Sequence, residues 1–193
     1  MREFILNLIL GSSSPRRLEL LKSINIHPKK ILSPDIDEMI CSNEHPLDYC
    51  KRIALNKLQT LSQSNKGEAI LSADTIVYSG RKLIDKTDDS RAAEKNFILI
   101  SGKRHKVATT VCICDQFGKI VSKTVISTVT MKRLTKKEIE KYIQTNEWVN
   151  VAGSYKIQSY AEVFIKSING SYSNIVGLPL YETNNILNSM NIR

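Results

Sequence analysis

The turn Gly11-Ser12-Ser13-Ser14-Pro15-Arg16-Arg17, directly behind the apolar run Phe4 to Leu10, concentrates groups that could hold an anion. Pro15 at a first helical position needs no backbone donor and arrives with its φ already helical. Ser14 before it suits an N-cap. The N–H groups of the first turn, the serine hydroxyls and the guanidinium groups of Arg16 and Arg17 can then converge on one point. That point fits a phosphate, because helix N-termini favour anions and Arg matches phosphate oxygens two at a time. An ordinary capped helix with two solvated arginines would use the same residues.

Three further places are chemically out of step with their surroundings. Asp74 lies inside Ala69-Ile70-Leu71-Ser72-Ala73-Asp74-Thr75-Ile76-Val77, which otherwise reads as a strand interior. A carboxylate there must be paired, bound to a metal or held at a shifted pKa, since an isolated buried charge is costly. Lys57 falls between Cys50 and Ile53 on a helical wheel, inside an apolar stripe; it can snorkel outward along its stem or reach inward to an anion. Asp37-Glu38, behind Pro34, is an acidic pair on a loop. Together with Asp74 it could form a hard oxygen site for Mg²⁺, which takes one or two carboxylates plus phosphates and water. Alone it is an exposed acidic turn.

These residues need elements to position them. Phe4 to Leu10 reads as a buried strand and Pro15 to Ile24 as a helix with Leu18, Leu20, Leu21 and Ile24 inward. Lys30 to Ser33 reads as a second short strand. His45 to about Ser62 carries the stripe Leu47, Cys50, Ile53, Ala54, Leu58, Leu61. Ala69 to Tyr78 and Lys82 to Ile84 read as a strand and its short return, with Lys86 just beyond. Asp88 or Asp89 caps a helix to Ile100, and Gly102 sits where a C′ glycine belongs. Lys106 to Asp115 and Ile120 to Met131 read as long strands. Thr135-Lys136-Lys137-Glu138 has capping-box spacing. Ala161 to Ser167 reads as a last strand and Leu180 to Met190 as a final helix. Strands and helices without a strict βαβ rhythm argue for an α/β fold with a mixed sheet.

The 193 residues suffice for one sizeable core, and a single domain, in two lobes or one, is expected over residues 1–193. No apolar run approaches the roughly 20 residues of a membrane span, and no signal-peptide plan is visible, so the expected compartment is the cytoplasm. None of Cys41, Cys50, Cys112 and Cys114 forms a Cys-x-x-Cys pair; Cys112 and Cys114 share a strand face as small core residues, and disulfides are not expected. The net charge of +9 is scattered and favours polyanionic ligands. A nucleic-acid-binding module is disfavoured, since aromatics make up only 6% and do not interleave with basic residues. Ser101-Gly102-Lys103-Arg104-His105 lacks the order of a Walker phosphate loop, and none of the three histidines lies near a nucleophile motif. A packing or turn role is expected for His105.

In order along the chain, the motifs are Gly11–Arg17, Asp37-Glu38, Ala54-Leu55-Asn56-Lys57, Ser72–Val77 and Leu99-Ile100-Ser101-Gly102-x-x-His105. Ala152-Gly153-Ser154-Tyr155-Lys156-Ile157-Gln158 and Ile168–Pro179 complete the set. This series resembles the Maf family of nucleoside triphosphate pyrophosphatases, over nearly the whole chain. The resemblance implies two α/β lobes around a long twisted mixed sheet with a central cleft, as in the inosine-triphosphatase architecture, and a homodimer. It implies hydrolysis of a nucleoside triphosphate between the α and β phosphates, with a divalent cation, Mg²⁺ or Mn²⁺. Ser12, Arg16 and Arg17 then fall on the triphosphate-binding loop, and Lys57 and Lys86 on basic residues that hold phosphates. Asp74 falls on the proton acceptor, which also faces the metal, Glu38 on its acidic partner near the metal, and Gln158 on a residue that separates subfamilies.

Ile157-Gln158 resembles the branch acting on dTTP and UTP, while the branch acting on 7-methyl-GTP tends to carry Glu there. Ser159 and Thr87 depart from a glycine and a proline common in the family, and these departures bear on the base pocket and the Lys86 loop. The family also suggests a part in cell-division arrest and in cleansing the nucleotide pool. A septation-regulating interaction protein with incidental hydrolysis is the alternative from another class. A purely structural partner would not require Asp74, Arg16 and Lys57 at matched places.

Overall fold

Side chains alternate along three strands, and that alternation sorts them into two cores. In the computed structural model, which describes residues 5–192, β1 spans Ile5–Gly11, α1 Pro15–Ser23, β2 His27–Leu32, α2 Pro46–Ser64, β3 Ala69–Ser79 and β4 Lys82–Leu83. Then follow α3 (Ser90–Ile100), β5 (Arg104–Cys114), β6 (Ile120–Met131), α4 (Lys136–Ile143), β7 (Ile165–Asn169), α5 (Tyr172–Val176) and α6 (Leu180–Ser189). Leu8, Leu10, Ala69, Leu71, Ala73, Val111 and Ile113 enter one buried cluster with Leu21 of α1 and Ile186 and Leu187 of α6. Their odd-for-even neighbours Ile9, Ile70, Cys112 and Cys114 enter a second, covered by Ala54, Leu58 and Leu61 of α2. Successive strand residues point to opposite faces, so within each strand parity separates the two layers, one covered by α1 and α6 and the other by α2.

The sheet has the order β2-β1-β3-β5-β6-β7, with β4 paired to β3. β1 runs parallel to β2 and β3, whereas β3–β4 and β6–β7 are antiparallel, which makes the sheet mixed as expected. Gly11 is in register with Leu32 on one side and Ser72 on the other. The chain therefore leaves β1 at Ser12 and β2 at Ser33 at the same end of the sheet, and Asp74 lies two residues past Ser72 at that end. Carboxyl ends of strands in open α/β sheets are where ligands bind.

The chain divides into two compact units. The first comprises residues up to Asp74, Thr109–Val125 and the chain from Gly177; the second comprises Thr75–Ala108 and Ile126–Val176. The core of the second unit gathers Val77, Phe97, Val107, Met131, Tyr142, Trp148 and Phe164. Within it the Tyr142 ring meets Phe97 and Phe164 edge-on, at 5.0 Å and 5.8 Å between centroids.

Several local expectations are met. Asp89 caps α3 by accepting from the Arg91 and Ala92 amides, Gly102 takes φ +70, and Thr135 and Glu138 complete the capping box of α4. All four cysteines are free. His105 is buried and bonds the Tyr155 hydroxyl at 2.7 Å, a packing role. Among the described residues no helix is long and apolar enough to cross a membrane.

Other expectations are corrected. The strand expected from Ala161 begins at Ile165, because Tyr160–Phe164 winds as a three-ten turn. Its buried Ala161 and Phe164 are three apart, a spacing that suits a turn of three residues rather than an alternating strand. The strand expected from Lys30 starts at His27, since the edge position beside β1 leaves Pro28 free of any ladder donation. Phe4, the expected start of the first strand, lies outside the described residues.

Candidate active site

Ser72, Asp74 and the α2 layer share one face by parity, so an acid at position 74 must point at α2. The helix is indexed against the strand by two bonds: Ser72 Oγ donates to the Ala54 carbonyl at 2.8 Å and Cys50 Sγ to the Asp74 carbonyl at 3.4 Å. Four helical residues and two strand residues each cover about 6 to 7 Å, so the two ladders stay in step. Gly11 makes the close approach possible, since a Cβ there would stand 2.5 Å from Leu61 Cδ1 and 3.3 Å from the Leu71 carbonyl.

Lys57 is carried by this helix and points inward. Its Nζ lies 2.8 Å from Asp74 Oδ1 and 2.8 Å from Glu38 Oε1, with the Lys57 and Asp74 side chains only 12% and 11% exposed. Snorkelling to solvent is thus overridden by two carboxylates that would otherwise be left in a poorly hydrated place. Sequence spacing alone could not choose between these directions, because the second carboxylate comes from the loop after β2.

The Ser-Pro-Arg-Arg turn assembles differently from the expected cap. Ser14 occupies the N-cap position of α1 but makes no side-chain capping bond; its amide donates to Ser12 Oγ at 3.2 Å. Arg17 Nη1 donates to the same oxygen at 2.9 Å, and Arg17 Nε to the Gly177 carbonyl at 2.9 Å. Both bonds to Ser12 use oxygen lone pairs, so its O–H remains a donor. Arg17 is buried; desolvation lowers its pKa, and the charge of Asp74 opposes that shift. Arg16 is half-buried, with desolvation again lowering its pKa against the influence of Glu19. Arg17 therefore locks Ser12 and the chain at Gly177 into one piece, while Arg16 is the more accessible of the two guanidinium groups.

The first unit thus brings together Ser12, Arg17, Lys57, Glu38 and Asp74, with Arg16 on the same turn. Lys86 and Gln158 belong to the second unit, and both are exposed. The Lys86 loop and the segment before Gln158 are stitched to each other there. Asn96 Nδ2 donates to the Asp85 carbonyl at 3.2 Å and to Ser154 Oγ at 2.9 Å, and the Gly153 amide donates to the Ile84 carbonyl. Gly153 takes φ +73 and abuts Val77, which leaves no room for a side chain.

The donor set suits a hard divalent cation. Glu38 and Asp74 converge on one positive centre, the Lys57 ammonium. Mg²⁺ and Mn²⁺ accept one or two carboxylates and complete their shells with water and phosphate oxygens. Among the described residues no group of three or more His, Cys, Asp and Glu forms a self-sufficient metal cage. Gly177 lies within the Ile168–Pro179 motif without a role of its own there, whereas Glu44, Tyr49 and Arg52 escaped sequence reasoning. Only the apolar stripe could have flagged Tyr49, at the helical spacing of Ile53.

A family model described as "Maf-like protein" matches residues 7–190. The chain is 46% identical over 182 residues to a "Nucleoside triphosphate pyrophosphatase" of Ehrlichia canis (strain Jake), covering 94% of this chain and 95% of the relative. It is 45% identical over 179 residues to a "dTTP/UTP pyrophosphatase" of Wolbachia sp. subsp. Drosophila simulans (strain wRi), covering 92% and 90%. In fold it is similar to a solved HAM1 protein from Coxiella burnetii, with a TM-score of 0.50 at 14% identity, covering 96% of this chain and 100% of that one. A match running almost from end to end, through the turn, both acids and Lys57, means that the chain belongs to the Maf family.

Proposed function

We propose that this protein is a nucleoside triphosphate pyrophosphatase, cutting between the α and β phosphates to release a nucleoside monophosphate and pyrophosphate. The observation that carries the reading is the Glu38–Lys57–Asp74 ion triad, with Asp74 in mid-β3 just past the level of the carboxyl end of β1, beside the Ser12–Arg17 turn. Water is a poor nucleophile, so a fixed carboxylate must accept its proton as the oxygen attacks the α-phosphorus. Asp74 takes that role: the O–H bond of water breaks toward Asp74 as the new O–P bond forms. The bond from the α-phosphorus to the bridging oxygen then breaks, and pyrophosphate leaves with the electron pair. Lys57 holds Asp74 in one orientation, while Arg16 and the Ser12 hydroxyl meet the phosphate oxygens. A divalent cation held by Glu38 and Asp74 would supply charge neutralisation on the phosphates. Lys86 and Gln158 enter as substrate contacts on the family resemblance alone. A homodimer and a part in cell-division arrest rest on the same resemblance, and a cytoplasmic location on the sequence reading.

Relatives described as dTTP/UTP pyrophosphatases, together with an amide rather than a carboxylate at Gln158, favour pyrimidine triphosphates. The test is product analysis with Mg²⁺ or Mn²⁺ over a panel of standard and base-modified triphosphates. Pyrophosphate with monophosphate is expected, fastest for dTTP and UTP. Release of orthophosphate, or no turnover of any member, would overturn the activity; preference for 7-methyl-GTP would overturn the base assignment.

A further inference from the structure

Glu38 sits on a loop that has no regular structure between β2 and α2, so something other than a ladder must fix its carboxylate. Apolar packing does not do it, since the neighbouring Met39 and Ile40 are 75% and 50% exposed. The bonds that reach this loop come instead from the first turns of α2. Tyr49 Oη donates to the Glu38 carbonyl at 2.9 Å, and Arg52 Nη2 donates to the Met39 carbonyl at 2.9 Å. Arg52 also grips Glu44 with both arms of its fork, Nε to Oε1 and Nη2 to Oε2, each at 2.7 Å. Glu44 Oε2 in turn accepts the Cys41 amide at 3.0 Å. The Arg52 guanidinium stands 5.5 Å from the centre of the Tyr49 ring, a cation–π distance.

The clamp therefore seizes the backbone at Glu38, Met39 and Cys41, three positions around one functional side chain. All of its donors from α2 ride on the helix that also supplies Lys57. The loop acid and its ammonium partner are indexed to a single rigid element, which is how supporting residues hold a reacting or metal-binding group within tolerance. A lone exposed ion pair does little, but a planar fork with two carboxylate oxygens and a carbonyl defines an orientation that an ammonium cannot reproduce. The bond to Arg52 holds the Glu44 carboxyl down at about 2, so the clamp stays ionised throughout the neutral range.

We propose that Arg52, forked onto Glu44 and stacked on Tyr49, is a positioning residue that sets the Glu38 carboxylate against Lys57 and Asp74. This rests on the reading of Glu38 as the acidic partner near the metal.

The experiment compares Arg52→Lys, Glu44→Gln, Glu38→Gln and the double variant Glu38→Gln/Arg52→Lys in the full chain. Three quantities are read: Mn²⁺ affinity of the nucleotide-free protein by electron paramagnetic resonance, amide exchange of residues 38–44, and kcat with KM for the nucleotide. Arg52→Lys and Glu44→Gln are expected to weaken Mn²⁺ binding about tenfold, the lower end for loss of a supporting contact. Both should lower kcat and speed exchange of residues 38–44, with thermal unfolding nearly unchanged. Once Glu38 is removed, Arg52→Lys should cost little more, because the two act through one carboxylate. Glu38→Gln with unchanged kcat and Mn²⁺ affinity would overturn the reading of Glu38, and the proposal with it. An impaired Glu38→Gln beside unaffected Arg52→Lys and Glu44→Gln would overturn the proposal alone, as would full additivity in the double variant. Glu44→Gln keeps the side-chain size and leaves the guanidinium in place, so it stands as the readout if Arg52→Lys folds poorly.

Discussion

Lys57 Nζ and Asp74 Oδ1, from a helix and a strand seventeen positions apart, meet at 2.8 Å on the same sheet face as an apolar layer that includes Ile9, Ala54, Leu58 and Ile70. The pair converts an acid in a strand interior from a liability into a fixed, charged group. It also explains why an apolar helix stripe tolerates a lysine: the face of α2 that covers β3 must present a cation where β3 presents a carboxylate. Glu38 shares the same ammonium, so one cation serves two acids.

Asp74→Asn keeps the side-chain volume and one acceptor oxygen but cannot take a proton from water. Pyrophosphate release should fall by at least about 10²-fold, the scale of losing a general base. The circular dichroism spectrum should stay that of the native fold. Turnover like that of the wild type would remove Asp74 from the chemistry.

Lys57→Met leaves two carboxylates facing each other in a place with little water. Breaking a fully buried pair costs about 3–5 kcal/mol, and the residual solvent access here brings the expectation to about 2 kcal/mol. Lys57→Met/Asp74→Asn should recover part of that loss, because the acid that needed the cation is gone. Urea unfolding of the two single variants and the double variant measures the coupling; strict additivity would mean that the pair contributes no specific interaction.

Much of this arrangement was legible in the residues. The strand interior from Ala69 to Val77, with an acid set in it, and the apolar stripe of α2, with Lys57 set in it, stand where the residues place them, while the pairing of that strand face with α2 comes from the fold. The capping box at Thr135 and the strand from Ile120 to Met131 stand where local chemistry places them. What was illegible depends on contacts remote in sequence or on elements too short to show a period. Arg17 binds the carbonyl of Gly177 at a separation of 160 positions, so its commitment to structure could not be read from Pro15-Arg16-Arg17. The five residues of α5, started by the Ser171 hydroxyl accepting the Asn174 amide, are too few for a helical pattern. The Tyr160–Phe164 turn carries β-branched and aromatic residues that read as strand, yet tertiary packing winds it.

Gly153→Ala tests the segment that leads to Gln158. The residue sits at φ +73, and an added Cβ would come within 2.7 Å of Val77 Cγ2 and 3.0 Å of Val77 Cβ. A left-handed conformation costs a non-glycine residue about 1–2 kcal/mol, and overpacking adds about 1–3 kcal/mol. A loss of about 3 kcal/mol is expected in chemical denaturation. Val77→Ala in the same chain should return only the steric share, leaving the backbone share unrelieved.

His105 gives the second unit an acid-sensitive point in its interior. Burial pushes its imidazole down to about 4 from an ordinary 6.5, and the ring is 2% exposed with Nε2 bonded to Tyr155. The unfolded chain therefore binds a proton at this residue at higher pH than the folded one, so stability rises with pH between about 4 and 6.5 and is flat above. The stability present above pH 6.5 and lost on acidification through 4 amounts to about 3 kcal/mol at full extent. His105→Gln, which cannot titrate, should flatten that share of the pH dependence while costing some stability at pH 7 through poorer packing. Unfolding free energies of both proteins between pH 4 and 7 decide it. Parallel curves would mean that His105 takes up its proton in the folded state as readily as in the unfolded one.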